Sequence, residues 1–233
     1  MKTLTKMLAS AGASIGIAAC ALTAVPASAQ VEGKIATVDT SRAIIGTNAL
    51  RTAYESITTT YKAQIDQRTA KQKQLSDLLK PFDANANGQL DDAELPAVQA
   101  ATQFPQIQQL EAEVAGLTNQ VNNARIFAVE QIFQQYGAAL EEVATVQQIQ
   151  LVMPVGSVLY GKSEADITQL VTTSLNTKVP SVGVVPQQNY RPSQQGANLF
   201  QEIQQRLLTA QLIQQQRAQQ GAAAGNTEAP AGR

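Results

Sequence analysis

Lys34-Ile35-Ala36-Thr37-Val38-Asp39 and, far downstream, Ile149-Gln150-Leu151-Val152-Met153 are two short β-branched, apolar runs. Neither is long enough to stand alone as a strand, so each needs a partner, and distant ends of the chain are expected to meet in one sheet. Thr40-Ser41 stops the first run. Pro154-Val155-Gly156 follows the second, and Ser157-Val158-Leu159-Tyr160 beyond it reads as a further strand. Joining the two ends turns everything between them into an antiparallel helical hairpin projecting from a compact base. The expected fold class is α+β, a small β-sheet base carrying a long antiparallel α-helical coiled-coil hairpin.

Residues 48–80 form the outgoing helix, capped by Thr47 or Asn48. Leu50, Tyr54, Ile57 and Tyr61 alternate at spacings of four and three, a coiled-coil seam. The stripe fades between Asp66 and Gln74, where only Ala70 is apolar, and resumes at Leu75, Leu78 and Leu79 before Pro81 ends the helix. The return helix is expected over residues 106–146. Its seam runs through Ile107, Leu110, Val114, Leu117 and Val121, then Ala128, Ile132, Tyr136, Ala139, Val143 and Val146, with one stutter. Ile126, Phe127, Val129 and Phe133 add a second apolar face, the mark of a helix with more than one neighbour. At 1.5 Å per residue each helix is about 50–60 Å long. A two-helix hairpin with so thin a seam is marginal alone, which points to oligomerisation through the base.

The remaining organisation follows from composition. Residues 1–29 read as a signal peptide: Lys2 and Lys6 precede an apolar run that ends in Ala27-Ser28-Ala29. Ile17-Ala18-Ala19-Cys20 offers the alternative of a lipidated Cys20; either way the mature chain is exported. The base is expected at residues 30–47 and 147–178, the hairpin at 48–146. Asp166 is the expected cap of a last base helix with Ile167, Leu170, Val171 and Leu175 on one face. Residues 179–197, rich in proline, read as a linker. Residues 198–220, with Leu199, Phe200, Ile203, Leu207 and Leu208 on one side, form an accessory amphipathic helix, and residues 221–233 a disordered tail.

Charge and residue types exclude much chemistry. Without the leader, 15 basic residues face 18 acidic ones, an unpromising balance for nucleic acid. The only cysteine is Cys20 and there is no histidine, so the mature chain lacks thiol and imidazole chemistry. The chain holds 32 glutamines, which solvate helices without charging them. Gly156-Ser157-Val158-Leu159-Tyr160-Gly161-Lys162-Ser163 fits the phosphate-loop pattern, but its variable positions read as strand and the next helix is expected only at Asp166, so no nucleotide is expected. Glu111/Glu113 and Glu141/Glu142 read as solvated helix faces, as does the basic patch Arg68, Lys71 and Lys73.

Asp83-Ala84-Asn85-Ala86-Asn87-Gly88-Gln89-Leu90-Asp91-Asp92-Ala93-Glu94, at the hairpin tip, matches the twelve-residue EF-hand loop position by position. Asp83, Asn85, Asn87, Asp91 and Glu94 would supply side-chain oxygens, Gln89 a backbone carbonyl, and Gly88 the sharp turn. The same residue types also build a plain Asn/Gly/Asp turn between helices. The filled ligand positions favour weak Ca²⁺ binding, at ~10⁻⁴–10⁻³ M, since the loop is unpaired and carries three carboxylates.

The two ends resemble the Skp/OmpH family of periplasmic outer-membrane-protein chaperones. Lys34-Ile35-Ala36-Thr37-Val38-Asp39 is similar to that family's first strand and helix start. Gln150-Leu151-Val152-Met153, Ser157-Val158-Leu159-Tyr160 and Ala165-Asp166-Ile167-Thr168 are similar to its closing strands and final helix. The likeness covers roughly residues 34–177. It implies a homotrimer whose joined β bases carry helical arms around a cavity, holding unfolded outer-membrane proteins in the periplasm without ATP and without enzymatic activity. Leu75, Leu78, Leu79 and Phe104 are the candidate client-facing residues, with ordinary hairpin seam as their competing role. The chain lacks the strong basicity common in that family, which leaves membrane contact open. The competing function is a structural or adaptor protein of the cell envelope with a calcium-binding loop.

Overall fold

A computed structural model describes residues 33–224. The expected signal peptide, the Cys20 alternative and residues 225–233 of the expected tail lie outside the described residues. Strand β1 (Lys34–Val38) pairs in parallel with strand β2 (Ile149–Pro154), Ala36 opposite Val152 and Val38 opposite Pro154. A parallel pair cannot be closed by a tight turn, and here the crossover is the whole hairpin.

The outgoing limb begins with α1 (Thr40–Ile45), capped by the Asp39 carboxylate, which accepts from the Arg42 N–H at 3.0 Å. Next come α2 (Asn48–Thr60), capped by Thr47, and α3 (Lys62–Leu79). A break at Tyr61 separates these two, and Pro81 sits in the 3-10 turn that closes the limb. The return limb is α4 (Leu95–Gln99), α5 (Phe104–Phe133) and α6 (Tyr136–Val146). The single return helix expected over 106–146 is thus broken at Gln134–Gln135. There Tyr136 stacks on Phe133 and its hydroxyl accepts from Thr40, turning α6 into the base.

Helix α7 (Thr168–Lys178) starts two residues after Asp166, whose carboxylate accepts the Thr168 N–H at 2.9 Å. A further correction concerns residues 157–160. They form no strand: residues 155–157 turn in a 3-10 helix, and Leu159 and Tyr160 are 107% and 86% exposed. The run has strand composition, but among the described residues it pairs with no strand; at Thr37, β1 bridges to Asp166 instead.

The expected linker is also corrected. Residues 179–193 lack regular structure, yet Val179 is buried and Val182 and Val184 lie against the two apolar clusters. Helix α8 (Gln194–Ala224) then runs on past residue 220, where the tail was expected to begin. Its Leu199 and Ile203 belong to the main core with Ile44, Val129, Ile132, Val171 and Leu175. Arg206 pairs with Asp39 at 2.9 Å, and Ser41 donates to Glu202 at 2.8 Å. The helix is part of the base.

Beyond the base, a small cluster of Ile57, Val121 and Ala124 holds the limbs together. Helix α3 has no buried residue at all, so the faded stripe corresponds to an arm about 27 Å long with a thin seam.

Burial alone would raise the Asp166 carboxyl, but hydrogen bonds from Thr168 and Arg42 outweigh it and hold it below the usual carboxylate range. A depressed folded pKa gives stability that is present above the unfolded value of about 4 and lost as pH falls through the folded one. Acid titration of thermal stability should therefore show a wild-type loss below about pH 4 that Asp166→Asn diminishes. Parallel acid curves for the two proteins would contradict this role for Asp166.

Candidate functional site

The tip loop is built by short-range hydrogen bonds. Asp83 accepts from Asn87 N–H at 3.1 Å and Gly88 N–H at 2.7 Å. Asn87 accepts from Gln89 N–H at 2.7 Å, and Asn85 donates to Asp91 at 3.1 Å. Glu94, 8% exposed, reaches back across the loop to accept from Ala84 N–H at 2.7 Å and Asp91 N–H at 3.1 Å. Gly88 adopts φ +81°, a left-handed turn that a side chain would strain. The donors are all hard oxygens, the type Ca²⁺ prefers. The carboxylates of Asp83, Asp91 and Glu94 are not drawn together, however. Among the described residues, no group of three or more His, Cys, Asp or Glu is spaced to hold a metal.

The candidate client-facing residues lie on the arm around this loop. Leu75, Leu78, Leu79 and Phe104 are all half-buried. Leu75 and Leu79 line a cleft of about 700 Å³ together with Asp83, Gly88 and Gln89. Leu78 and Phe104 are not part of it. The expected basic patch is largely neutralised: Lys71 pairs with Glu113 across the hairpin, and Lys73 with Asp77 at 2.7 Å within α3. The Lys71 ammonium holds the Glu113 carboxyl below its ordinary range. Glu142 likewise accepts from Ser174 at 3.0 Å and pairs with Lys178 at 2.7 Å.

A second set of groups, on α5 nearer the base, was not evident in the sequence. Gln131 grips Gly183 with both ends of its carboxamide: Nε2 donates to the Gly183 carbonyl at 2.9 Å, and Oε1 accepts the Gly183 N–H at 3.0 Å. Glu130 accepts from the Tyr190 hydroxyl at 2.6 Å and the Ser193 N–H at 2.7 Å. Burial and the Glu130 carboxylate push the Tyr190 phenol well above its usual range. The Tyr190 ring meets Phe127 edge to face at 5.1 Å. The only hint of this in the sequence is the second apolar face around Phe127.

Residues 34–175 match the family model described as outer membrane protein, OmpH-like. The chain belongs to the OmpH-like outer membrane protein family. A crystal structure described as an OmpH-like outer membrane chaperone from Caulobacter crescentus is similar to it, with 16% identity and a TM-score of 0.40 over 67% of this chain and 91% of that one. No curated protein matches the sequence at a significant level. Among the described residues, no helix is long and apolar enough to cross a membrane.

Proposed function

We propose that the protein is a non-enzymatic, ATP-independent periplasmic holdase that binds unfolded outer-membrane proteins between helical arms. One observation carries the reading: an arm whose helix α3 has no buried residue stands on a well-packed base, in a chain of the OmpH-like family. Such a surface offers scattered apolar contacts and solvated walls, which suit many client sequences better than a fixed pocket would. The assembly in this proposal is a homotrimer joined through the base. Support comes from Ile35, Leu151, Val155, Leu159 and Tyr160, all left exposed there. The test is dilution of several unrelated urea-denatured β-barrel proteins into the mature protein without nucleotide. Suppressed aggregation near one assembly per client is the expected result. No suppression, together with recovery of one defined envelope complex, would establish the adaptor role in its place.

Calcium at the tip is part of the same proposal. Asp83, Asn85, Asn87, Asp91, Glu94 and the Gln89 carbonyl would hold the ion, which would draw the three carboxylates together and stiffen the tip. Calorimetry should register binding at ~10⁻⁴–10⁻³ M and lose it in the Asp83→Ala/Glu94→Ala variant. Absence of heat at millimolar calcium would leave the loop as a turn.

A further inference from the structure

Asn87 is the only asparagine in the chain that is followed by glycine, and Asn87-Gly88 sits in the tip loop with both residues exposed. In such a pair the backbone nitrogen of the second residue can attack the side-chain carboxamide of the first. Glycine matters because it has no side chain to hinder the approach. At Gly88 even an added Cβ would meet nothing within 4 Å, so the loop leaves that residue open to water. The hydrogen bonds around the pair favour the reaction. Gly88 N–H, the attacking group, donates to Asp83 Oδ2 at 2.7 Å. Asn87 N–H donates to the other oxygen, Asp83 Oδ1, at 3.1 Å, which fixes the carboxylate beside this peptide. Asn87 Oδ1, the oxygen of the carboxamide under attack, accepts the Gln89 N–H at 2.7 Å. An amide nitrogen attacks from above or below its own plane. Its in-plane N–H can therefore stay on Asp83 throughout.

We propose that Asn87-Gly88 is a self-modifying site, at which the loop converts its own asparagine to aspartate and isoaspartate. Gly88 N bonds to Asn87 Cγ and gives up its proton to the Asp83 carboxylate. The Gln89 N–H stabilises the negative charge that develops on Asn87 Oδ1. The Cγ–Nδ2 bond then breaks, and Nδ2 takes the proton from Asp83 and leaves as ammonia. A succinimide ring remains. Water opens it at Cγ to give aspartate, or at the Asn87 backbone carbonyl carbon to give isoaspartate. The sum is amide plus water going to acid plus ammonia, with no change of oxidation state. Either product adds a negative charge to the tip, and isoaspartate also inserts an extra carbon into the main chain at the turn. The site is independent of the holdase and calcium readings, since neither client nor metal takes part in the reaction. If the loop holds calcium, aspartate at this position adds a fourth carboxylate to Asp83, Asp91 and Glu94, and the charge of the ligands sets affinity.

The experiment follows the mature protein in neutral, calcium-free buffer over days, once folded and once unfolded in urea. Digestion, chromatography and mass spectrometry then separate the peptides that carry Asn87 as amide, succinimide, aspartate or isoaspartate. Asn87 should convert ahead of every other asparagine, and faster in the folded protein than in urea. Gly88→Ala should lose the conversion. Asp83→Asn keeps the size and the hydrogen-bonding oxygen of the side chain but removes the base. It should slow the folded protein at least about ten-fold, since a positioned base supplies ~10²–10⁴-fold and a carboxylate is a weak one. In urea it should change nothing. If Asp83 merely restrained the loop, the same variant would speed the folded protein instead. An Asn87 that stays intact, a folded rate no higher than the rate in urea, or an Asp83→Asn variant as fast as wild type each overturns the proposal. None of these readings depends on calcium or on a client, so the modification stands or falls apart from both.

Discussion

Replacing Ile203 with aspartate should unfold the base. Ile203 is fully buried in the core it shares with Ile44, Val129, Ile132 and Leu175. Truncating such a side chain to alanine costs about 2–5 kcal/mol. An unpaired carboxylate in its place adds a desolvation penalty, for a total on the order of 4 kcal/mol or more. Against a typical domain stability of about 5–15 kcal/mol, that leaves little folded protein on mild heating. Leu208→Asp, on the same helix but 58% exposed, should change stability by no more than about 0.5 kcal/mol. Thermal melts followed by circular dichroism, at one fixed protein concentration, compare the three proteins. Equal melting of wild type and Ile203→Asp would mean that α8 does not hold the base together.

Leu159→Asp/Tyr160→Asp should turn the proposed trimer into monomers. Both side chains project almost wholly into solvent, so the substitutions remove little contact with the described residues. Their cost falls on whatever covers them. Two carboxylates brought into an apolar interface would each need to be desolvated, and a weakening of at least ~100-fold follows from about 3 kcal/mol in total. Sedimentation velocity at micromolar concentration reads the outcome directly. A wild-type protein that sediments as a monomer, or a variant that keeps the wild-type assembly, would remove the base from the proposed interface.

The parts of the fold legible in the sequence are those set by local pattern. Val38 and Val152 sit in adjacent strands because short β-branched runs at both ends had few other places to go. The seam residues from Leu50 to Tyr61 and from Ile107 to Val121 are buried or half-buried, as their three-four spacing predicts. Misreadings arise where the deciding neighbour is distant in the sequence. Val158-Leu159-Tyr160 has the composition of a strand, but composition does not reveal whether a partner strand is present. Three prolines correctly signal that residues 179–192 avoid helix and strand. They carry no information about Gln131 and Glu130, which hold that segment down. The break at Gln134–Gln135 is invisible because both residues are good helix formers and tertiary contacts of Tyr136 and Phe133 override them. At the tip, a twelve-residue motif is readable because all its parts are adjacent in sequence. How closely its carboxylates gather is a matter of geometry.

The pairing of β1 with β2, and of Asp39 with Arg206, has a consequence for how the molecule assembles. The first strand emerges from the ribosome long before either of its stabilising partners exists, so the earliest residues of the base must wait, unpaired, for nearly the last. Loop-closure entropy makes such long-range joining slow, whereas contacts between α3 and α5 link residues closer together in the chain. The limbs are therefore expected to form first and the platform last. Until that final step, valines and leucines destined for the base core, such as Val129, Val171, Leu175 and Leu199, stay open to water.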